Sequence, residues 1–350
     1  MNQTATYIAQ QARGRALLFG LPVDESVNLG VAQSSENMTV LESEMLRRPA
    51  LDRLTGAGPL QALLDDPSVE EVWINRPNEI RFANSAGNHS IQADLSAEQI
   101  ETLVERLLRT TGRRIDKSSP FVDAALADGS RLHAVIPSVT KSHWSVNIRK
   151  FRSESPTLSW AQSVGMVTLE QIQALRFAVA AGMTVLVSGA THAGKTTMLT
   201  ALINELGLDQ RLVTIEDTFE INTNAVDVVA MQTREATPDG ANAVDMRRLV
   251  RESLRMRPNR IALGEVRGAE ALDLLLAFNS GIPGFCTIHA NSAKQALQKL
   301  GSLALLSATG LSAEFAERMV ASAIDLVVHC QRDTKQNRRV VEILKVSDGQ

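Results

Sequence analysis

The stretch of sequence that decides the fold is Gly189-Ala190-Thr191-His192-Ala193-Gly194-Lys195-Thr196-Thr197. It matches the pattern G-x-x-x-x-G-K-[ST], in which glycines let backbone N–H groups converge on phosphate oxygens at the start of a helix. The apolar residues 183–188 before it are typical of a buried strand, and residues 198–203 after it continue as a helix. We therefore predict that residues 189–197 bind the phosphates of a nucleotide.

Three side chains of this stretch have separate tasks in the prediction. Lys195 would reach the β- and γ-phosphates, the hydroxyl of Thr196 would ligate Mg²⁺, and Thr197 would contact the α-phosphate. His192 stands where such loops usually have a small residue, and we interpret it as an exposed side chain without a catalytic role. ATP and Mg²⁺ are accordingly the expected substrate and cofactor.

The pattern around this loop predicts an α/β domain over residues 158–350. Helical patterns alternate with apolar runs from residue 168 onward, and the runs predict strands at 183–188, 211–216, 260–264 and 284–288. Strands that alternate with helices are typical of a parallel sheet.

The residues before position 158 have a different organisation. Short alternating segments predict strands, and Ser96 with Gln99 forms a capping-box pattern before an amphipathic helix. We predict an α+β domain at residues 38–151, with a helical first segment at 38–65. Residues 1–37 are expected to form a flexible or helical extension, and the polar residues 152–157 to form a linker.

Composition excludes several classes of protein. The hydrophobic fraction of 44% and the charged fraction of 21% are those of an ordinary globular protein. A net charge of -3 and an aromatic fraction of 4% give no reason to expect direct, sequence-specific binding of nucleic acid. The start has no basic segment before an apolar run, and the longest apolar stretch, 177–187, is shorter than the ~20 residues that a bilayer requires. We therefore expect a cytoplasmic protein.

Carboxylates follow two of the predicted strands. Glu216 ends the strand at 211–216, and Glu265 follows the strand at 260–264. Because the carboxyl ends of parallel strands meet at the ligand-binding edge of a sheet, both side chains are expected near the phosphates. We predict that Glu265 activates the attacking water and that Glu216 lies on the Mg²⁺ side, with Asp217 and Glu220 as weaker candidates.

These segments together resemble the four boxes of the secretion-system traffic ATPases, the hexameric motors of type II secretion, type IV pili and type IV secretion. The glycine-rich loop resembles the Walker A box, VTIEDTFEI (213–221) the acidic box, LRMRPNRIALGEVRGAEALDLL (254–275) the Walker B box and CTIHANS (286–292) the histidine box. The stretches 58–75, 112–137 and 146–151 match the N-terminal half of such proteins. The combination is most similar to the branch that serves Tad-type (Flp) pili and is related to conjugative transfer ATPases.

The resemblance implies a RecA-like P-loop NTPase domain preceded by an α+β, PAS-like domain, with nucleotide between them. It also implies a homo-hexamer that docks peripherally at the inner face of the cell membrane on inner-membrane platform proteins. By its position in the sequence alone, His289 has either a structural or a functional role. The resemblance implies that it senses the γ-phosphate, assisted by Asn291. Arg131 and Arg149 would reach over the nucleotide from the N-terminal domain.

The remaining arginines near the boxes receive weaker interpretations. Arg267 would orient Glu265 or bridge subunits. A helical stripe is expected on a solvated or subunit-interface surface, and its members are Arg247, Arg251 and Arg255.

The sequence departs from the usual family pattern at three places. The loop interior is Thr-His-Ala, where Thr-Gly-Ser is usual. Gly264 stands where an ordinary Walker B box has Asp, which is normal in this family. Residues 279–284 contain no second histidine. The resemblance implies an ATPase that powers pilus assembly or type II/IV secretion. A conjugative or effector-translocating motor, a regulatory switch that binds nucleotide without hydrolysing it, and a nucleic-acid motor are the alternatives, and the acidic balance disfavours the last of these.

Overall fold

Two β-sheets organise the chain, one in each of the units Met1–Phe151 and Arg152–Gln350. The structure is a computed structural model that describes residues 2–19, 21–34, 40–54, 56–84, 86–151, 155–234, 243–308, 310–334 and 337–346. The predicted boundary at residues 37–38 and residues 152–154 of the predicted linker lie outside the described residues.

The first unit contains a six-stranded sheet in the order β3-β2-β1-β6-β5-β4, and its paired neighbours run antiparallel. Its strands are β1 (Val69–Arg76), β2 (Glu79–Asn84), β3 (Gly87–Gln92), β4 (Phe121–Ala125), β5 (Arg131–Val135) and β6 (Ser145–Arg149). Its helices are α1 (Asn2–Phe19), α2 (Val23–Ser34), α3 (Val40–Leu54), α4 (Gln61–Asp65) and α5 (Ala97–Leu108), with a 3₁₀ turn at Gly58–Leu60.

Helix α5 shows why these residues fold as they do. Ser96 accepts a hydrogen bond from the backbone N–H of Gln99, whose side chain accepts one from the backbone of Ser96, so the predicted capping box is confirmed. Residues at helical spacing, among them Leu103 and Val104, are buried against strand residues such as Ile74. At the N-terminus, α1 and α2 bury a separate cluster together with α3, which includes Ile8, Val27 and Leu46.

The second unit contains a seven-stranded sheet in the order β13-β12-β7-β11-β10-β8-β9. Its strands are β7 (Val185–Gly189), β8 (Arg211–Glu216), β9 (Asp227–Gln232), β10 (Arg260–Val266), β11 (Gly284–His289), β12 (Leu326–Arg332) and β13 (Arg338–Lys345). Its helices are α6 (Leu158–Ser163), α7 (Leu169–Ala180), α8 (Lys195–Ile203), α9 (Met246–Ser253), α10 (Glu270–Asn279), α11 (Ala293–Leu306) and α12 (Ala313–Ala323), with a 3₁₀ turn at Leu254–Met256.

Helices cover both faces of this sheet. Side chains of α6, α7 and α8 share one buried cluster with the sheet, and side chains of α9 to α12 share another. The predicted parallel arrangement is confirmed from β9 to β12, because every neighbouring pair among these strands is parallel. Beyond the four predicted strands, β13 runs antiparallel to β12 as the second strand of a hairpin that the sequence patterns do not predict. Among the helices that the structure describes, none combines the length and apolar character needed to span a membrane.

Candidate functional site

The glycine-rich loop connects the end of β7 to the start of α8. Gly189 has φ of 153°, and a Cβ there would overlap the carbonyl oxygen of Cys330 on the neighbouring strand β12. Gly194 caps α8 with φ of 91°, a conformation that other residues rarely adopt. The loop therefore leaves β7 and enters α8 through two positions that require glycine, and His192 lies exposed between them with φ of 62°.

Lys195, the first residue of α8, points back into the loop. Only 7% of the residue is exposed. Its Nζ donates to the carbonyl oxygen of Ala190 at 3.1 Å and to Nδ1 of His289 at 3.0 Å. The lysine therefore joins the glycine-rich loop to the end of β11.

Glu265 extends this connection on the other side of His289. Its Oε1 lies 2.7 Å from Nε2 of His289, at ion-pair distance but without the alignment of a good hydrogen bond. Arg267 donates from Nη2 to Oε2 of Glu265 at 2.8 Å and from Nη1 to Oδ2 of Asp217 at 3.1 Å. Lys195, His289, Glu265, Arg267 and Asp217 thus form a continuous series of charged and polar contacts at the carboxyl ends of β8, β10 and β11.

The electrostatics of this series define the protonation states. Burial and the charge of Lys195 lower the pKa of His289 below its usual value, although Glu265 raises it. Burial raises the pKa of Glu265, but Arg267, His289 and Lys195 lower it further than burial raises it. His289 is therefore neutral near pH 7, with Nδ1 accepting from the lysine and Nε2 carrying the proton that faces an ionised Glu265.

Glu216 occupies a different environment at the end of β8. The residue is only 2% exposed, and its Oε1 accepts from the backbone N–H groups of Glu220 at 2.8 Å and Ile221 at 2.9 Å. Burial raises the pKa of Glu216 to about 7. A Cβ at Gly264 would come within 3.2 Å of Cγ of Glu216, so the glycine leaves room for this buried glutamate.

The side chains near Thr196 fit a magnesium ion. The Thr196 hydroxyl donates to Oε2 of Glu220 at 3.4 Å, and no donor among the described residues reaches the buried Oε2 of Glu216. Hydroxyl and carboxylate oxygens are the ligands that Mg²⁺ prefers. The structure therefore brings the weaker candidate Glu220 to Thr196, whereas the hydrogen bonds of Glu216 go to the backbone that follows it.

The other predicted arginines lie elsewhere. Arg247 and Arg251 each donate to Asp273 of α10 at 2.7 Å. Arg255, farther along the stripe, pairs with Glu252 on the surface.

Arg131 and Arg149 belong to the first unit. They lie directly opposite each other on β5 and β6 and therefore share a face of that sheet. That face is opposite the one on which the neighbouring residues Leu132 and Ile148 are buried.

Two residues that no sequence motif marks contact the glycine-rich loop or the strand end that leads into it. Arg338, at the start of β13, donates from Nε to the carbonyl oxygen of His192 at 3.2 Å. His329 of β12 contacts Ser188, the residue before Gly189, through Nδ1 and Oγ at 2.9 Å. An apolar run at 326–330 is a signal for β12, but it does not indicate which strand lies beside it.

The second unit has a largely parallel sheet between two layers of helices. A glycine-rich loop joins β7 to α8, and acidic strand ends lie beside it. These features define a RecA-like P-loop fold. The family model described as Type II/IV secretion system protein matches residues 53–345, and the chain belongs to this family. The predicted resemblance is thus confirmed at the level of the family, whereas the Tad-type branch stays a prediction.

Two relatives agree with this assignment, and a solved structure shares the fold. A Mycobacterium tuberculosis protein whose name assigns it to conjugal transfer is 33% identical over 331 residues, which cover 92% of this chain and 91% of that protein. The type IV secretion system protein VirB11 of Brucella suis is 33% identical over 302 residues, 77% of this chain and 83% of that protein. The ATPase DotB of Legionella pneumophila shares the fold, with a TM-score of 0.58 at 20% identity over 90% of this chain and 83% of that one.

Proposed function

We propose that the protein is an ATPase that powers pilus assembly or type II/IV secretion by hydrolysing ATP to ADP and phosphate. The observation that carries this proposal is the contact of Lys195 with His289 and of His289 with Glu265, at 3.0 Å and 2.7 Å. It brings a phosphate-binding lysine, a neutral imidazole and an ionised carboxylate to one end of the glycine-rich loop. A regulatory switch without hydrolysis has no need of an ionised carboxylate at that place.

Each side chain has a role in this proposal. The backbone of residues 189–194 and Lys195 bind the phosphates of ATP, and Glu265 accepts the proton of the attacking water. His289 contacts both Lys195 and Glu265, so it senses whether the γ-phosphate is present. Arg267 holds the carboxylate of Glu265 in place.

A magnesium ion would be held by Thr196 and Glu220 together with Glu216. When bound, it would neutralise charge on the phosphate oxygens. Thr196 supplies the hydroxyl, and the buried Oε2 of Glu216 supplies a carboxylate oxygen that has no other described donor.

The coupling of hydrolysis to work follows the family. We propose a homo-hexamer docked from the cytoplasm on inner-membrane platform proteins, in which ATP binding closes the N-terminal domain on the RecA-like domain and hydrolysis reopens it. Arg131 and Arg149 would then meet the γ-phosphate only in the closed state. The proposed divisions are an extension at 1–37, an α+β domain at 38–151, a linker at 152–157 and an ATPase domain at 158–350.

A conjugative or effector-translocating motor is the second candidate. It is favoured by the names of two relatives, a conjugal transfer protein and the type IV secretion protein VirB11. Co-purification with pilin-assembly platform proteins supports the first candidate, and co-purification with a relaxase or coupling protein supports the second.

The test compares Glu265→Gln with Lys195→Ala in steady-state ATPase and nucleotide-binding assays. Glu265→Gln keeps the shape but removes the base, so we expect ATP binding near the wild-type level and turnover lower by ~10²–10⁴-fold. Lys195→Ala should abolish turnover and weaken binding without unfolding the protein. Glu252→Gln, a surface glutamate that pairs with Arg255, is the matched control and should hydrolyse ATP like the wild type. Full turnover by a folded Lys195→Ala variant would refute the site.

A further inference from the structure

A buried histidine lies beside the phosphate-binding strand without belonging to the site described above. His329 is on β12, in register with Ser188 of β7, and the next pair along these strands is Cys330 with Gly189. Only 4% of His329 is exposed. Its ring is therefore buried beside Ser188, the residue that precedes the first glycine of the loop.

The His329 ring interacts with two different segments of the chain. Nδ1 is 2.9 Å from Oγ of Ser188. A hydrogen bond with the backbone of Asn291 raises the pKa of the ring, which identifies the backbone group as a carbonyl that accepts a proton. A neutral imidazole has one donor and one acceptor, so the His329 ring can serve the Asn291 backbone and the Ser188 hydroxyl at the same time.

The surroundings of the ring keep it in this neutral form. Burial lowers the pKa of His329, and this effect exceeds the opposite effects of Glu342 and of Asn291. Glu342 lies opposite His329 on β13, and its Oε2 accepts from the backbone N–H of Ala293 at 3.4 Å, at the start of α11. A bulge in β13, where Val341 has no partner in β12, accompanies this arrangement. Bulges of this kind commonly redirect a side chain next to a functional site.

The two segments that His329 joins are those that carry Lys195 and His289. Ser188 precedes the glycine-rich loop, and Asn291 follows His289 by two residues. β7 and β11 are paired strands up to Ser188 with Ile288 and Gly189 with His289, and the backbone bond that follows, from Ala290 N–H to the Gly189 carbonyl, is long at 3.4 Å. The His329 ring thus adds a side-chain connection between Ser188 and Asn291, at the point where the pairing of β7 with β11 ends.

We propose that His329 is a positioning residue that fixes the glycine-rich loop and the histidine-bearing strand end in register, so that Lys195, His289 and Glu265 meet in the geometry required for hydrolysis. This inference rests on the proposed ATPase function and assigns no contact between His329 and the nucleotide.

Loss of His329 should affect the rate of ATP hydrolysis more than the affinity for nucleotide. Phosphate binding depends on residues 189–195, whose conformation is set largely by Gly189, Gly194 and the start of α8, whereas turnover also needs the loop and the β11 end to be correctly placed relative to each other. We expect His329→Ala to lower kcat by about tenfold or more, since small misplacements of catalytic groups are costly. The Kd of a fluorescent ATP analogue should stay near the wild-type value.

Variants of His329 that keep one of its two contacts distinguish a positioning role from a packing role. An Asn side chain places an amide near the position of Nδ1 and a Gln side chain places one near Nε2, so each keeps one of the two contacts. We expect both His329→Asn and His329→Gln to recover part of kcat. Ser188→Ala should lower kcat less than His329→Ala does, and the double variant should be no slower than His329→Ala alone, because the two residues share one contact.

Val327→Ala is the matched control, because Val327 lies on the same strand and the same face and is fully buried. It removes packing without touching either segment, so it should lower the melting temperature while leaving kcat unchanged. If Val327→Ala lowers kcat as much as His329→Ala at equal loss of stability, or if the Asn and Gln variants are as slow as Ala, His329 has only a packing role. If His329→Ala does not fold, the Asn, Gln and Ser188→Ala variants decide the question. An inactive wild type would refute the ATPase proposal itself, and that outcome is distinct from these.

Discussion

At the scale of single residues, the two glutamates of the site differ because their surroundings differ. Glu265 is held ionised because Arg267, His289 and Lys195 outweigh its burial. Glu216 faces two backbone N–H groups and the carboxylate of Glu220, so its burial dominates. Pairs of carboxylates with separated pKa values are typical of sites that divide the work of acid, base and ligand.

The raised pKa of Glu216 predicts a dependence of stability on pH. Its folded-state pKa is about 7, against 4.5 for an unperturbed glutamate, so the folded protein binds the proton more tightly than the unfolded chain does. Stability due to this residue is complete below pH 4.5 and falls as the pH rises through the folded pKa, by a total of about 3 kcal/mol. Glu216→Gln should remove this loss of stability at high pH, because the amide does not titrate.

The measurement is urea unfolding of both proteins between pH 4.5 and 8 in the presence of a chelator. The stability of Glu216→Gln relative to the wild type should increase over that range, because all other titrating groups are common to both proteins. A difference that stays constant with pH would mean that Glu216 is ionised in the folded protein throughout.

Sequence reasoning is effective for residues whose chemistry is encoded in a short motif. Lys195, His289 and Glu265 were within reach because a motif or a strand end marks each of them, and the structure brings the three together. Glu220 is harder to rank, because its approach to Thr196 depends on how the chain turns after β8. His329 and Arg338 carry no such mark, since their contacts with the loop arise only when the last hairpin joins the sheet.

At the scale of elements, the central strands were predictable and the edge strands were not. Strands β7, β8, β10 and β11 are buried on both faces and read as continuous apolar runs. Strand β9 also contains an apolar run, at residues 228–231, but it lies at the edge of the sheet and is only partly buried. The antiparallel hairpin of β12 and β13 follows α12, where an alternating pattern of helices and strands would place another parallel strand.

The junction between β7 and β12 predicts a strict requirement for glycine. Gly189→Ala should destabilise the protein and greatly weaken nucleotide binding, because the new methyl group would overlap the carbonyl oxygen of Cys330 and push the loop away from β12. Gly281→Ala is the control: Gly281 has φ of 87° but an open space around its Cβ, so only conformational strain of roughly 1–2 kcal/mol is added. Thermal unfolding and nucleotide titration of both variants measure the difference, and equal effects would contradict the steric argument.

At the scale of the whole molecule, the proposed mechanism requires residues from both units. Arg131 and Arg149 lie on paired strands of the first unit, and their side chains share a face. A role in binding phosphate oxygens gives a reason for keeping both.

Replacing either arginine with Ala should lower turnover by more than about tenfold, with little change in nucleotide affinity. An arginine that meets the γ-phosphate only after closure contributes to the transition state more than to the ground state, so kcat falls while Kd does not. Lys should rescue either variant poorly, because an ammonium cannot present the planar fork of a guanidinium to phosphate oxygens. Arg81→Ala, on β2 of the same sheet, is the control for a general loss of surface charge and should behave like the wild type. If Arg131→Ala and Arg149→Ala also hydrolyse ATP at the wild-type rate, both residues are ordinary surface arginines, and any arginine at the γ-phosphate must come from another part of the chain or from a neighbouring subunit.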